Sequence, residues 1–346
     1  MTRDVGGARL TLPTLSADLL RWANREGGGH AVIERLGPMP GNAGLSFGFD
    51  VVTTRGCTRH VDSYVMRMSP PGVRKQGNTD VLRQVPLLQA LETSEVPIAE
   101  LVWSTDDESW FGTDVIVQRR LDATALAMFV DAGDPMTADQ SWPFIESAVG
   151  ALVAIHALDW QTSLADWQPR RDVVDEIGFW QSLLERSQEP SWHAHGSRLA
   201  AALRATAPAA ATIGLQHGDF HTQNILYRSD GKIAAVIDWE LSSIGATASD
   251  LGWLALWLDT TCWHPEHQAT MRLGADPQRV REAYETAAGS VVADFDWFRA
   301  LACFKFASII CFNLKLHRSG KRTDPWYETL ASSVDVMFAR GLDLLG

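Results

Sequence analysis

The chain has 346 residues, 46% of them hydrophobic, and 30 basic against 42 acidic side chains give it a formal charge of −12. That length and apolar content exceed one ordinary core and imply two lobes. The acidic balance, with no block of Lys or Arg anywhere, excludes the electrostatic footprint of a nucleic-acid binder.

In chain order, residues about 15–26 show helical spacing. "AVIERLG", "LSFGFDVVTT" and "DSYVMRM" follow as β-rich runs separated by Gly, Pro and Asn, which predicts a small antiparallel sheet. "NTDVLRQVPLLQALET" then carries Leu82, Leu87, Leu88 and Leu91 on a roughly helical face, and "AELVWS" and "DVIVQRRL" return to strand character around a polar "TDDES" turn. Beyond about residue 121 helical runs dominate, among them "WPFIESAVGALVAIHAL", "EIGFWQSLLERS", "GSRLAAALRATA" and "RVREAYETAA", interrupted only by the strand-like pieces "NILYR" and "KIAAVID". Cys57, Cys262, Cys303 and Cys311 form no C-x-x-C pair, which argues against a disulfide framework or structural zinc and for a reducing compartment. The N-terminus lacks an apolar leader core, and the greasiest run, "FRALACFKFASIICFNLKL", is interrupted by Lys305 short of a membrane span. The expectation is a soluble cytoplasmic protein without a membrane or nucleic-acid partner; its oligomeric state is open.

One stretch concentrates the chemistry: "LQHGDFHTQNILYRSDGKIAAVIDWE", residues 215–240, holds His217, Asp219, His221, Asn224, Asp238 and Glu240. His217 and His221 have the spacing of two zinc ligands on a helical turn, but Gly218 and Asp219 disfavour a helix there and no third ligand is evident. "GLSFG", residues 44–48, fits the G-x-S-x-G nucleophile pattern. That motif needs a helix after the serine, and a strand follows here, which sets Ser46 in a turn between strands. The third reading uses the whole stretch. "NILYR-SDG-KIAAVID" predicts a hairpin whose Asp-Gly turn brings Asn224 and Asp238, at its outer ends, side by side. An amide oxygen and a carboxylate are hard ligands that suit Mg²⁺ with nucleotide phosphates. Asp219, on the loop entering the hairpin, is then placed to accept a proton from a substrate hydroxyl. Singly, each residue could merely cap a turn or end a strand.

"HGDFHTQNIL…VIDWE" resembles the signature of the aminoglycoside phosphotransferase family, which has an α+β, bilobal protein-kinase-like fold. The resemblance runs from about residue 36 to 258. It implies a nucleotide-binding lobe over 1–119, with a small antiparallel sheet, and a larger helical lobe over 120–346 with the catalytic loop and acceptor site. It also implies that Asp219 is the catalytic base and that Asn224 and Asp238 hold magnesium on the phosphates of ATP or GTP. "LVAIHALDW" and "SDLGWLALW" match flanking segments of the family, so His156 and Asp250 read as structural, Asp250 bracing the catalytic loop.

"GPMPGNAGLSFGFDV" resembles the phosphate-covering hairpin loop without being a G-x-G-x-x-G, which makes Gly41, Asn42, Gly44 and Ser46 candidate nucleotide contacts. "SYVMRMSPPG" is similar to the strand that carries the phosphate-contacting cation, here Arg67, whose guanidinium can bridge phosphate oxygens. The family's carboxylate partner for that cation, on the next helix, is replaced by Gln84. "VIVQRRLDAT" corresponds to the hinge where the backbone at Gln118 and Arg119 meets adenine. The implied activity is transfer of a nucleotide γ-phosphoryl to a small-molecule hydroxyl, of a metabolic alcohol, a hydroxyacyl compound or an aminoglycoside-like acceptor. A kinase-fold nucleotide-binding protein without turnover is the alternative. The strand and "IDWELSSIG" segments are most similar to the subgroup found beside acyl-CoA dehydrogenases.

Overall fold

The computed structural model describes residues 11–27, 30–39, 45–130 and 135–346. By its internal contacts the chain divides into two units, residues up to Ala123 together with Ala234–Leu241, and Thr124–Ile233 together with Ser242–Gly346.

In the first unit α1 (Leu12–Gly27) precedes β1 (Ala31–Pro38), β2 (Leu45–Arg55) and β3 (Thr58–Met68). After them come α2 (Gln84–Glu92), β4 (Leu101–Thr105) and β5 (Val115–Arg119). The five strands form one antiparallel sheet in the order β1-β2-β3-β5-β4. β2 and β3 are joined by a two-residue turn between Arg55 and Thr58, in which Gly56 takes φ 61°, a left-handed position costly for a residue with a Cβ. Leu15, Leu19 and Trp22 recur at helical spacing on α1 and bury themselves against Phe49, Met66, Met68, Val115 and Val117, which alternate along their strands. The polar "TDDES" segment, expected as a turn, forms a short helix, Glu108–Phe111, because the Asp107 carboxylate caps it by accepting from the Ser109 N–H at 3.0 Å.

The second unit begins with β6 (Thr124–Ala125), then α3 (Ala138–His156), α4 (Val173–Leu184) and α5 (Pro190–Ala205). Short strands follow, β7 (Ile213–Gln216), β8 (Ile225–Tyr227) and β10 (Ser243–Ala246), while β9 (Ile233–Val236) belongs, from Ala234 on, to the first unit. α6 (Ala248–Leu258), α7 (Pro277–Ala288), α8 (Phe295–Arg318) and α9 (Val334–Leu345) complete it. β8 and β9 are the two strand-like pieces read from the sequence, joined by a tight turn in which Gly231 takes φ 80° and the Arg228 N–H donates to Lys232 O at 2.8 Å.

β7 and β10 were not anticipated, and they pair antiparallel with Gln216 opposite Ser243. Both are four-residue runs, almost wholly buried, and have no alternation to separate them from helix. Their pairing fixes the end of β7, and hence the start of the loop carrying His217 and Asp219.

The core of this unit gathers Trp253, Trp257, Trp263, Phe298, Phe304 and Phe306 around α6 and α8. The two helices approach so closely that a Cβ on Gly252 would stand 2.5 Å from the Phe298 carbonyl oxygen. α8 runs 24 residues and is long and apolar enough to cross a membrane by length and composition, yet 83% of its most apolar window is buried within the protein. The fold is α+β, a five-stranded antiparallel sheet followed by a mostly helical remainder.

Candidate active site

β7 ends at Gln216, and the next residues form a loop held from two sides. The His217 and Gly218 N–H groups donate to the two carboxylate oxygens of Asp250 on α6, at 2.7 and 2.9 Å. Gly218 takes φ 82°, a conformation that favours glycine. The carbonyl of the same residue is held as well: the Lys305 ammonium of α8 donates to Gly218 O. Asp250 is 1% exposed and also meets His156 Nε2 at 3.3 Å, while His156 Nδ1 lies 2.7 Å from the Tyr284 hydroxyl. Burial alone would raise the Asp250 carboxyl; His156, His217 and the Gly218 N–H outweigh it and hold the group below the ordinary carboxylate range. It is a charged brace, as the sequence implied.

Asp219 follows directly. Trp253 Nε1 donates to its Oδ1 at 3.0 Å, and Asn224 Nδ2 donates to its Oδ2 at 3.0 Å and to its backbone oxygen at 2.9 Å. His221 Nε2 stands 3.4 Å from Oδ1, with its ring stacked on Trp257 at 4.2 Å between centroids. Burial again pushes the carboxyl up, but His221, Lys305 and His217 prevail and hold it far below its usual value. Asp219 is therefore an ionised, acceptor-only group at neutral pH, and two separate donors fix its plane. The structure thus brings Asp219 and Asn224 together, with Asn224 closing a short 3₁₀ turn, Thr222–Asn224.

Asp238 lies in the first unit, just past β9. Arg67 Nη2 donates to Asp238 Oδ1 at 2.8 Å and to Glu240 Oε2 at 3.0 Å, and Arg83 donates to the Glu240 backbone oxygen. Arg67 is mostly buried, so it is not a solvated strand end. Burial would lower its pKa, and the two carboxylates more than reverse that. The carboxylate that the sequence sought at Gln84 is thus supplied by Glu240, while Gln84 begins α2 and is buried. Asp238 takes φ 68°, a left-handed conformation that Asp tolerates better than most side chains.

Ser46 lies within β2, opposite Arg67 on β3, rather than in a turn, because the strand pairing extends back to Leu45. Gly41, Asn42 and Gly44 lie outside the described residues. Gln118 and Arg119 are the last residues of β5, and the sheet occupies them: the Arg119 N–H donates to Glu100 O at 2.9 Å and Gln118 Nε2 to Ala99 O at 3.0 Å. Three residues of these clusters had no role from sequence. Glu240 was inside the motif, Lys305 was visible as a lone charge in an apolar run, and Trp253 was visible only as one of several tryptophans.

A family model described as the phosphotransferase enzyme family, APH, matches residues 40–301. The chain belongs to this family. Among solved structures, a Ralstonia eutropha protein named as an aminoglycoside phosphotransferase superposes with a TM-score of 0.75 at 20% identity, covering 95% of this chain and 97% of that one. An aminoglycoside phosphotransferase APH(4)-Ia variant, crystallised with ADP and hygromycin B, superposes with a TM-score of 0.57 at 14% identity, covering 94% and 99%. At identities this low the superpositions show the fold alone, the α+β kinase-like fold of the phosphotransferases. Among curated relatives, the Arabidopsis thaliana protein IBR3, named as an acyl-CoA dehydrogenase, is 28% identical over 235 residues, 64% of this chain and 27% of the relative. The chain therefore spans about a quarter of that relative.

Proposed function

We propose that this member of the phosphotransferase family moves the γ-phosphoryl group of ATP or GTP to an alcohol of a small molecule, with Asp219 as the base. The observation that carries the reading is the Asp219 carboxylate itself: ionised, fixed by Trp253 and Asn224, and preceded by a peptide braced by Asp250. A carboxylate so held can orient the acceptor hydroxyl and take its proton as the phosphoryl group departs. Among the described residues both ion pairs of Arg67 use Nη2, so that Nε and Nη1 could bridge phosphate oxygens.

By their motif positions alone, Asn224 and Asp238 would be the residues that hold magnesium. The donor chemistry supports the assignment, since Asn224 spends its NH₂ on Asp219 while its amide oxygen accepts no hydrogen bond among the described residues. Bound Mg²⁺ supplies charge neutralisation on the phosphates. The acyl-CoA dehydrogenase name of the curated relative supports a hydroxyacyl or other metabolic alcohol as acceptor over an aminoglycoside.

The test is a screen of alcohol-bearing metabolites with radiolabelled ATP and Mg²⁺, run beside Asp219→Ala. Label transfer that the variant loses supports the reading. The Arg67–Asp238 ion pair, which engages a carboxylate assigned to the metal, favours a second reading as a non-catalytic nucleotide binder. Nucleotide binding in a thermal-shift titration without turnover across the panel would select it.

A further inference from the structure

Lys305 is the least expected residue of the second unit. It sits on α8, whose neighbours Phe304, Phe306 and Ala307 are buried hydrophobics, and it is itself only 6% exposed. A buried ammonium is costly unless its donors are used, and a methionine there would pack without that cost. Its Nζ donates to Gly218 O and lies 4.1 Å from the centre of the Trp253 ring and 5.1 Å from that of Trp180. Burial depresses its pKa, and the carboxylates of Glu176, Asp219 and Asp250 oppose that effect, with Arg171 adding to it.

Two of these contacts, with Gly218 O and with Trp253, lead to one group. Gly218 is the residue before Asp219, and Trp253 is the donor to Asp219 Oδ1. Gly218 is thereby held through the two peptide groups that flank it, its N–H by Asp250 and its carbonyl by Lys305. The Trp253 indole is held between its hydrogen bond to Asp219 and a cation over its face. Asp250 explains the first grip; nothing assigned above explains the second.

We propose that Lys305 is a positioning residue of the phosphoryl-transfer site, setting the place of the Asp219 carboxylate through the Gly218 carbonyl and the Trp253 indole. The inference rests on the reading of Asp219 as the base. Lys305 does not touch the nucleotide or the acceptor, so its loss acts on the chemical step and not on nucleotide affinity. A displacement of a catalytic group by about 1 Å costs about 10²-fold in rate.

The experiment measures MgATP hydrolysis, with water as acceptor, for the full chain, Lys305→Met and Lys305→Ala, together with hydrogen exchange of the peptides spanning residues 217–224. The expected result for Lys305→Met is a fall in kcat of about tenfold or more at a KM for ATP within about twofold of wild type, with faster exchange in that loop. Lys305→Ala should regain part of its kcat when methylammonium is added and none with methanol. A kcat close to wild type, a change confined to KM, or a methylammonium response no better than methanol's would overturn the proposal. If wild type shows neither hydrolysis nor transfer to any alcohol of the screening panel, it is the phosphotransferase reading that fails, and exchange then decides: a loop exchanging at the wild-type rate in Lys305→Met means that the ammonium does not hold it.

Discussion

Asp219→Asn is the sharpest perturbation of the site, because asparagine keeps the shape of aspartate and removes only its charge and proton affinity. In the wild-type chain each carboxylate oxygen has its own donor, Trp253 Nε1 on Oδ1 and Asn224 Nδ2 on Oδ2, both at 3.0 Å. An asparagine offers one oxygen and one NH₂, so in either orientation an N–H faces an N–H. Leaving one such partly buried donor unsatisfied costs about 1–3 kcal/mol. Asn224 can remove that clash by turning its own amide over, but this sets its oxygen against the residue-219 carbonyl to which it now donates, puts an NH₂ where its oxygen now stands and weakens any cation held there.

The substitution should therefore lower kcat by about 10²–10⁴-fold through loss of the base. It should add either a drop in melting temperature or a loss of Mg-nucleotide affinity, according to whether Asn224 stays or turns. Steady-state kinetics on the acceptor found by screening, a melting curve and calorimetric titration with a non-hydrolysable ATP analogue separate these contributions. A kcat within about tenfold of wild type, with melting and affinity unchanged, would refute both the base assignment and the donor argument.

Asp238→Asn, chosen because asparagine tolerates the left-handed backbone there, should lose Mg-dependent nucleotide binding in the same titration, whereas Asp219→Ala should retain it. Arg67→Ala should raise the KM for ATP, and Glu240→Gln should raise it less, since it removes one of two ion pairs of the guanidinium; KM values from initial rates give the order. Asp250→Ala removes the acceptor of the buried His217 N–H and of the half-buried Gly218 N–H and should cost about 1–3 kcal/mol per donor, read from urea midpoints. The folded-state pKa values of Asp219 and Asp250 are both depressed, so their stabilisation is complete above the unfolded-chain value of about 3.9. It is lost as the pH falls from there toward the folded values, and urea midpoints should drop on the acid side more steeply for wild type than for Asp250→Asn.

Legibility in the sequence tracked the range of the interaction. Two strands of the first unit could be read from patterns local to each: in β3 the buried Met66 and Met68 flank the half-buried Arg67, and β5 opens on the unbroken buried apolar run Val115–Val117. Asp219 and Asn224 could be read because their contact spans five positions. Arg67 could be placed on its strand but not paired, since its partner Glu240 lies 173 positions away and the local pattern pointed to α2 instead. The contacts of Trp253 and Lys305 with the loop, across 34 and 87 positions, leave no periodic trace. Gln118 and Arg119 were legible as the end of a strand, while the sheet's claim on the Arg119 N–H depends on a register with β4 that the sequence does not state.

The length and greasiness of α8 have a consequence for the chain before it is folded. As it leaves the ribosome, this stretch is as apolar as a bilayer-spanning helix, and the helices that will cover it are separated from it in sequence. A lysine near the middle of such a helix raises the cost of inserting it into a bilayer by about 2.5–3.5 kcal/mol, whereas in the finished protein the same ammonium finds the Gly218 carbonyl and two indole faces. Lys305 thus discriminates between two greasy destinations, lipid and protein interior. Cells making Lys305→Met should divert part of the chain to membranes or inclusion bodies, and yield must be separated from specific activity when that variant is judged.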